Sequence, residues 1–600
     1  MSEPDNIARD ADREDAARDD AHDLELLRRY EPIVRFTEGE YFFPAPVESY
    51  VRSSALWTTS ARGRRRIVAE RGQLALEGLV ELDAKTSGEL FLALVGEPAS
   101  RIELIRWRLR RDRPRFRAGT RLGQVGVLSR LVDAFNRASL IVRGKVGSGS
   151  EAAAEMLYRA DASARDHHPY YGRVVHQAGY VVLQYWYFYY FNDWRSRAHG
   201  VNDHEGDWEQ VTIFLAEQDD GPARPAWVAF SAHDEVGDDL RRRWDDPDMT
   251  REGDHPVVFA GLGSHSGAYL PGDYLISVDP ASLPAALRWS RQLSRFVLPW
   301  LRGTAAERFG VPYVDYSRGD GRAIGPGCTH SWTPVPIDDD TDWVIGYFGL
   351  WGNDTEDPFG GERGPAGPRY ERGGIVRASW ADPVGWAGLE KVAPNEGECR
   401  RLVEERVTEI DEQIAVMAKD QVVLRRKLRT EVAAGHVNPS VDEAGVRNLT
   451  AERVALEDAR RRLQRVSATA PTIADPHAHL RHRNLPLPAT MDGRQRVLQV
   501  WSAISTPLVF VAVALMFMPL GRSVAGVGLA GVLVITTLEA IARGRLFAFL
   551  VGLVALLVGG AVVVALIVGM ITEWRLTVVA VLLLAALSVL LLNLVELRRS

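Results

Sequence analysis

Cysteine is scarce in this chain: two in 600 residues, Cys328 and Cys399, far apart. A disulfide framework is therefore excluded as the device that holds the fold, and the count suits a reducing compartment. No concentrated basic face accompanies the formal net charge of −7, so nucleic acid is not an expected partner. The N-terminus lacks the apolar core and small-residue cleavage site of a secretory signal. Residues 1–24 are polar and charged, with few large apolar side chains, and read as a disordered acidic tail. Also missing are a G-x-S-x-G elbow, a Walker loop and a dinucleotide fingerprint in a strand-to-helix setting. Cys328 has no local case as a nucleophile.

Charge is scarce in one region above all, the last hundred residues. Four apolar runs occupy about 502–520, 523–541, 546–571 and 576–596. Each is close to the roughly 20 helical residues that cross a hydrocarbon core. Short connections make them antiparallel neighbours, which predicts a four-helix transmembrane bundle over 501–600 and a lipid bilayer as partner. Arg494 and Arg496 precede the first run, Arg543 and Arg545 separate the second from the third, and Arg598 and Arg599 end the chain. The opposite side has Arg522 and Arg575. This arginine bias predicts a cytoplasmic location for both ends and for the soluble part. Glu539 is the intramembrane carboxylate that stands out; Arg543, four residues on, is its expected partner.

The rest of the chain is long enough for several units. Residues 396–468 hold two stretches of helical apolar spacing. Val407, Ile410, Ile414 and Met417 lie in the first, and Val446, Leu449 and Leu456 in the second. HVNPS, with Pro439, breaks them apart. An antiparallel hairpin or coiled coil follows, serving either as a stalk or, with the bundle, as a homo-oligomer contact. Residues 469–500, which hold Pro471, Pro476, Pro486 and Pro488, form a linker. Residues 25–395 carry recurring β-type runs such as YVVLQYWYFYY, EQVTIFL and DWVIGYF, the pattern of an antiparallel β-sandwich. Residues 62–165 differ; LGQVGVLSRLVDAFNRASLIV has helical spacing, so a helical insertion is expected there.

Chemistry concentrates in FNDWRSRAHGVNDHEGDWEQVTIFL. Alternation puts Asp207, Glu209, Val211 and Ile213 on one face of a strand, and Trp208, Gln210 and Thr212 on the other. Two carboxylates about 7 Å apart on one face call for positive charge. His204 can fold over the same end across Gly206, and Asp193 closes the preceding aromatic strand. Three carboxylates and an imidazole would suit a divalent cation, Ca²⁺, Mg²⁺ or Mn²⁺. The plain alternative is a surface cluster of acids beside a solvated histidine. His233, in FSAHDE, and His265, in GSHSGAY, end other strands and, with Trp208, are candidates to line a pocket. His176 and His330 are weaker candidates, and Asp354 and Asp357, in the Gly/Pro loop, are expected to cap turns.

HEGDWE, after YWYFYYFND, resembles the GHRHDWE region of the necrosis-inducing protein family. In that family an Asp, a His, an Asp and a Glu hold a cation, and the matching positions are Asp193, His204, Asp207 and Glu209. The loop between Asp193 and His204 is longer than the family's. A wider set of stretches resembles the vacuolar protein sorting-associated protein 62 family and its plant relatives. These are RYEPIVRFTEGEYFFPAPVESYV, LQYWYFYYFND, HEGDWEQVTIFL, VAFSAHD, HPVVFAGLGSHSGAY and FGLWGNDTEDPFGGERGPAGP, in that order. The first resemblance implies lipid-headgroup recognition. The expected function is a membrane-anchored, cation-containing β-sandwich that binds a polar headgroup, a glycan or a protein. A metal-dependent hydrolase with His265 or His233 as general base, and a membrane scaffold with a structural metal, are the alternatives.

Overall fold

The structure, a computed structural model, describes residues 20–60, 63–86, 88–109, 126, 127, 130, 131, 148–193, 204–218, 221–231, 237–278, 311–353, 364–392, 396–433, 440–464, 477, 479–487, 493–519, 521–573 and 575. The chain divides into two units. The larger comprises residues 1–121, 132–289 and 308–491; the smaller comprises 122–131, 290–307 and 492–600.

In the larger unit the first sheets are built from β1 (Ile33–Arg35), β2 (Ala55–Thr59), β3 (Arg65–Ala69), β4 (Glu89–Ala93), β5 (Pro169–Gln177), β6 (Tyr180–Asn192), β7 (His204–Ala216), β8 (Arg224–Phe230) and β9 (Arg241–Arg243). They are completed by β10 (Arg251–Glu252), β11 (His255–Ala260), β12 (Gly267–Ala268), β13 (Gly272–Val278), β14 (Val311–Ser317), β15 (Ala323–Ile324) and β16 (Thr333–Pro336). A six-stranded sheet runs β16-β5-β6-β7-β8-β9, and a five-stranded sheet runs β10-β11-β1-β15 with β12 beside β11.

β6 is the spine. Its aromatic and β-branched residues favour a pleated, two-sided burial, and each face feeds a different core. Trp186, Phe188 and Tyr190 join a cluster with Tyr50, Trp208 and Trp351. Leu183, Tyr185, Tyr187 and Tyr189 join a second cluster. That cluster also takes Val34, Val258 and Ile324 from the five-stranded sheet, so side chains from both sheets meet in one core.

Two expectations need correction. The sheets are mixed: β1 pairs parallel with β11, and β16 parallel with β5. Those partners are far apart in sequence, so no tight hairpin fixes their relative direction. Among its described residues, the expected helical insertion at 62–165 also contains strands. Helices span Leu76–Lys85, Arg101–Arg108 and Ser148–Ala160, but β3 and β4 flank β2 in a three-stranded sheet. Most of LGQVGVLSRLVDAFNRASLIV lies outside the described residues. Further on, helices Glu396–Ala433 and Ser440–Gln464 pack together through Val407, Ile410, Ile414, Met417 and Leu456. Arg460 pairs with Asp411, and Gln421 bonds Thr450, so the two run in opposite directions. Of the acidic tail expected to be disordered over 1–24, residues 1–19 lie outside the described residues, and residues 20–24 are helical, because Leu24, Leu26 and Leu27 belong to the same helix, which runs to Tyr30.

In the smaller unit, helices span Gly493–Phe517, Arg522–Ala542 and Leu546–Thr572. By length and composition, two segments could cross a membrane, Arg496–Phe517 and Arg522–Ala542. These two pack antiparallel: Arg494 donates to the Ala542 carbonyl at one end, and Gly528 lies against Ala512 further along. The expected fourth run, 576–596, lies outside the described residues.

One glycine decides the layout of the site end of β7. Strict alternation would point Glu205 and Asp207 the same way. Instead, Glu205 accepts hydrogen bonds from the Leu94 and Val95 amides at 2.8 and 3.0 Å, while Asp207 faces His265. Gly206 between them sits at φ +64°, and a Cβ there would lie 2.4 Å from the Trp351 carbonyl oxygen. Gly179 shares the left-handed backbone, at φ +77°, but has nothing within 4 Å. Gly179→Ala should therefore cost only the conformational term, roughly 1 kcal/mol. Gly206→Ala should cost several-fold more, or abolish the folded protein. Thermal unfolding of the full-length chain in detergent checks this, and equal effects would contradict the packing account.

Candidate functional site

Asp207 and Glu209 share the β7 face that carries Val211 and Ile213 into the second core. Like charges held this close in a dry setting need a cation. It arrives from the turn between β11 and β12. His265 Nδ1 lies 2.7 Å from Asp207 Oδ2, and His265 Nε2 lies 3.6 Å from Glu40 Oε1. The imidazole stacks on Tyr189, with ring centroids 3.8 Å apart and planes within 4°. The His265 side chain has no solvent exposure, and those of Glu40 and Asp207 are 1% and 4% exposed. Burial pulls the His265 pKa down, but the charge of Glu40 and the bond to Asp207 outweigh it and raise it to about 10. At neutral pH the ring is thus an imidazolium, a donor at both nitrogens. Burial, and after it the charges of Glu209, Asp207 and Glu40 among others, push the Tyr189 hydroxyl well above its ordinary pKa.

The turn that presents His265 is over-determined. His265 sits at φ +57°, a left-handed conformation that histidine tolerates better than β-branched residues do. Its amide donates to the Gly261 carbonyl at 2.9 Å. Ser264 and Ser266 hydroxyls both donate to Asp315 Oδ2, at 2.7 and 2.8 Å, tying the turn to β14. The Gly263 amide donates to Glu40 Oε2 at 2.8 Å. Glu40 Oε1 accepts from the Tyr41 and Phe42 amides at 2.7 and 3.0 Å. The Asp193 amide donates to the Gly263 carbonyl at 3.0 Å.

Of the residues singled out from sequence, Asp193, Asp207 and His265 gather around this turn. Glu209 lies along the same face and accepts the Ser231 hydroxyl at 2.7 Å. His204 is buried at the start of β7, with Nδ1 2.6 Å from the Gly206 carbonyl oxygen. Trp208 turns away: its ring packs against Phe188, Tyr171 and Trp351 in the first core, so it does not line the acidic centre. His233, Asp354 and Asp357 lie outside the described residues. His176 is exposed beside Glu217, and His330 packs edge-on against His168, both away from the centre. Sequence reasoning missed Glu40 and Asp315. For Glu40 a signal existed: a carboxylate running straight into YFFP, where its neighbours are bound to be buried.

A second cluster escaped the sequence altogether. Asp246, Asp248 and His477 bring three ligand atoms within 4.8 Å of one another and form a group that could hold a metal ion. His477 Nε2 is 3.0 Å from Asp246 Oδ1 and 3.3 Å from Asp248 Oδ2. Both Asp248 oxygens also accept from Arg483, with Nε at 2.7 Å, and Arg242 lies 4.0 Å away. Arg483 and Arg242 both lie beside Asp248, so the group also serves as an ion-pair clasp that joins the 246–248 loop to His477 and Arg483. No family model, curated protein or solved structure matches the chain. The reading of the acidic centre therefore rests on its own geometry.

Two outcomes follow. His265→Gln should destabilise the full-length chain by about 3–5 kcal/mol, the usual cost of stranding one half of a buried charge pair; a loss under about 1 kcal/mol would contradict the charged assignment. Because the folded pKa of His265 lies above its ordinary 6.5, its stabilisation is fully present below about pH 6.5 and is lost as pH rises toward 10. Melting temperatures measured between pH 6 and 10 should fall more steeply for the wild type than for His265→Gln.

Proposed function

We propose that this chain is a membrane-anchored β-sandwich binding module, akin to the vacuolar protein sorting-associated protein 62 family, facing the cytoplasm on a four-span bundle. Its acidic centre holds the module in shape and does not perform chemistry. The observation that carries this reading is enclosure: Glu40, Asp193, His204, Asp207, Glu209 and His265 are each at most 8% exposed. A hydrolase needs an open position beside a cleft where substrate can reach the reacting groups. A cleft of about 580 Å³ among the described residues lies elsewhere, against β2 to β4 and helix Ser148–Ala160, lined by Trp57, Ile67, Met156 and Leu157 with Arg71 and Glu70 among its charged groups. An apolar wall that carries Trp57 and a charged rim suit a polar headgroup or a sugar, and we assign ligand binding to this cleft.

The divalent cation implied by the necrosis-inducing resemblance would sit among Asp193, His204, Asp207 and Glu209. These residues do not fit it as they stand. Asp207 is engaged by the His265 imidazolium, Glu209 accepts from Ser231, and His204 Nδ1 is directed at the Gly206 carbonyl. The imidazolium supplies the positive charge that a cation would bring, and no step of the proposal runs through a metal.

The test is elemental analysis of the purified full-length chain, with melting recorded in Ca²⁺, Mg²⁺, Mn²⁺ or chelator. No near-stoichiometric ion, and melting indifferent to chelator, is expected. A near-stoichiometric ion lost in both Asp207→Asn and Glu209→Gln would overturn the structural reading and restore the metal centre. For the cleft, short-chain phosphatidylserine and phosphatidylcholine are the probes. Binding that survives Trp57→Ala and Arg71→Ala undiminished would remove the cleft as the ligand surface.

A further inference from the structure

The sequence leaves Glu539 with Arg543 as its partner, and the structure keeps that pair: Arg543 Nε lies 2.9 Å from Glu539 Oε1. It also adds a second arginine from far away in the chain. Residues 122–131 belong to the same unit as the candidate spans. Arg130 is 1% exposed. Its Nε donates to Thr506 Oγ1 at 2.9 Å, and its two terminal nitrogens donate to Ser502 Oγ at 2.5 Å and to Ser505 Oγ at 3.1 Å. It also forms an ion pair with Glu539. Ser502 and Ser505 are fully buried.

Each part of this arrangement runs against the composition around it. Helix Gly493–Phe517 places two serines and a threonine at 502, 505 and 506, positions three and four apart on one helix face. They turn toward the facing helix Arg522–Ala542, which carries Glu539. The layer lies six to ten residues beyond Arg496, roughly 9–15 Å along the helix. Polar groups at such a depth are costly unless they satisfy one another. A guanidinium matches the demand: planar, always charged, with donors fanned to reach several acceptors. Lysine offers a single point charge and could not reach three hydroxyls and a carboxylate at once.

We propose that the groove between the two candidate spans is an interaction surface for the chain's own stretch around Arg130, described at Gly126, Val127, Arg130 and Leu131, and that this stretch is embedded in the membrane with Arg130 as the counter-ion of Glu539. The membrane part is then assembled from pieces distant in sequence and is more than an anchor. This inference rests on the membrane-spanning reading of the two helices, and the test separates the two.

The full-length chain is used, in native membranes, with Cys328 and Cys399 replaced by alanine. A single cysteine is placed at Val127, or at Phe510 in the middle of the first candidate span. Both sites are expected to resist a membrane-impermeant maleimide in intact membranes and to react once the membrane is dissolved in SDS. Labelling at Val127→Cys with Phe510→Cys still protected would overturn the embedded segment alone. Labelling at both would overturn the spanning reading as well. Arg130→Met is expected to expose Val127→Cys, whereas Arg130→Lys retains part of the protection; protection unchanged in Arg130→Met would remove Arg130 from the role. Melting in detergent gives an independent readout. Arg130→Met and Glu539→Gln should each lower the melting temperature, and the double variant should fall no further than the worse single one. Fully additive losses would contradict the pairing.

Discussion

The larger unit is organised around one buried charge pair, the His265 imidazolium held between Asp207 and Glu40. Such a pair stabilises only when its remaining valences are met, because each ion loses its water on burial. Here those of Glu40 are met from several directions. Glu40 collects the amides of Tyr41, Phe42 and Gly263, and His265 stacks on Tyr189 of the central strand. The turn itself is fastened to Asp315 by two serine hydroxyls. The N-terminal stretch, β6, β7, the turn after β11 and β14 thus converge on one imidazole.

Much of this was legible locally and little of it at long range. Alternation in DWEQVTIF separates Asp207 and Glu209 from Trp208, and the two cores take Ile213 and Trp208 accordingly. The left-handed Gly206 is also readable as a break, since glycine before a charged strand start invites a turn. What local pattern could not show is which distant group answers the carboxylates. A cation was required by electrostatics, but electrostatics does not say whether it comes from solution or from the chain. Glu40 lies far upstream of β7, and the parallel pairing of β1 with β11 helps bring its neighbourhood to the His265 turn. Parallel pairings leave no hairpin signature, so the mixed character of the sheets went unseen for the same reason.

The smaller unit repeats the principle in different surroundings. An acid in an apolar helix pair, Glu539, is answered by a nearby arginine that the sequence makes obvious and by a remote one, Arg130, that it does not. The clasp of Asp246 and Asp248 with His477 and Arg483 follows the same rule. In all three places a buried carboxylate is neutralised by a histidine or arginine carried in from another part of the chain. The stability of the larger unit should track the protonation of His265, whose pKa is raised to about 10.

The most direct measurement of the central claim is the nitrogen-15 spectrum of the His265 ring. Full-length chain labelled at histidine would be compared with His265→Gln at pH 8 to assign the signals. The account requires both ring nitrogens of His265 to carry protons at that pH, where an ordinary histidine is neutral. A neutral ring, with one unprotonated nitrogen at pH 8, would contradict it and return the question of what balances Asp207, Glu209 and Glu40 to a bound cation.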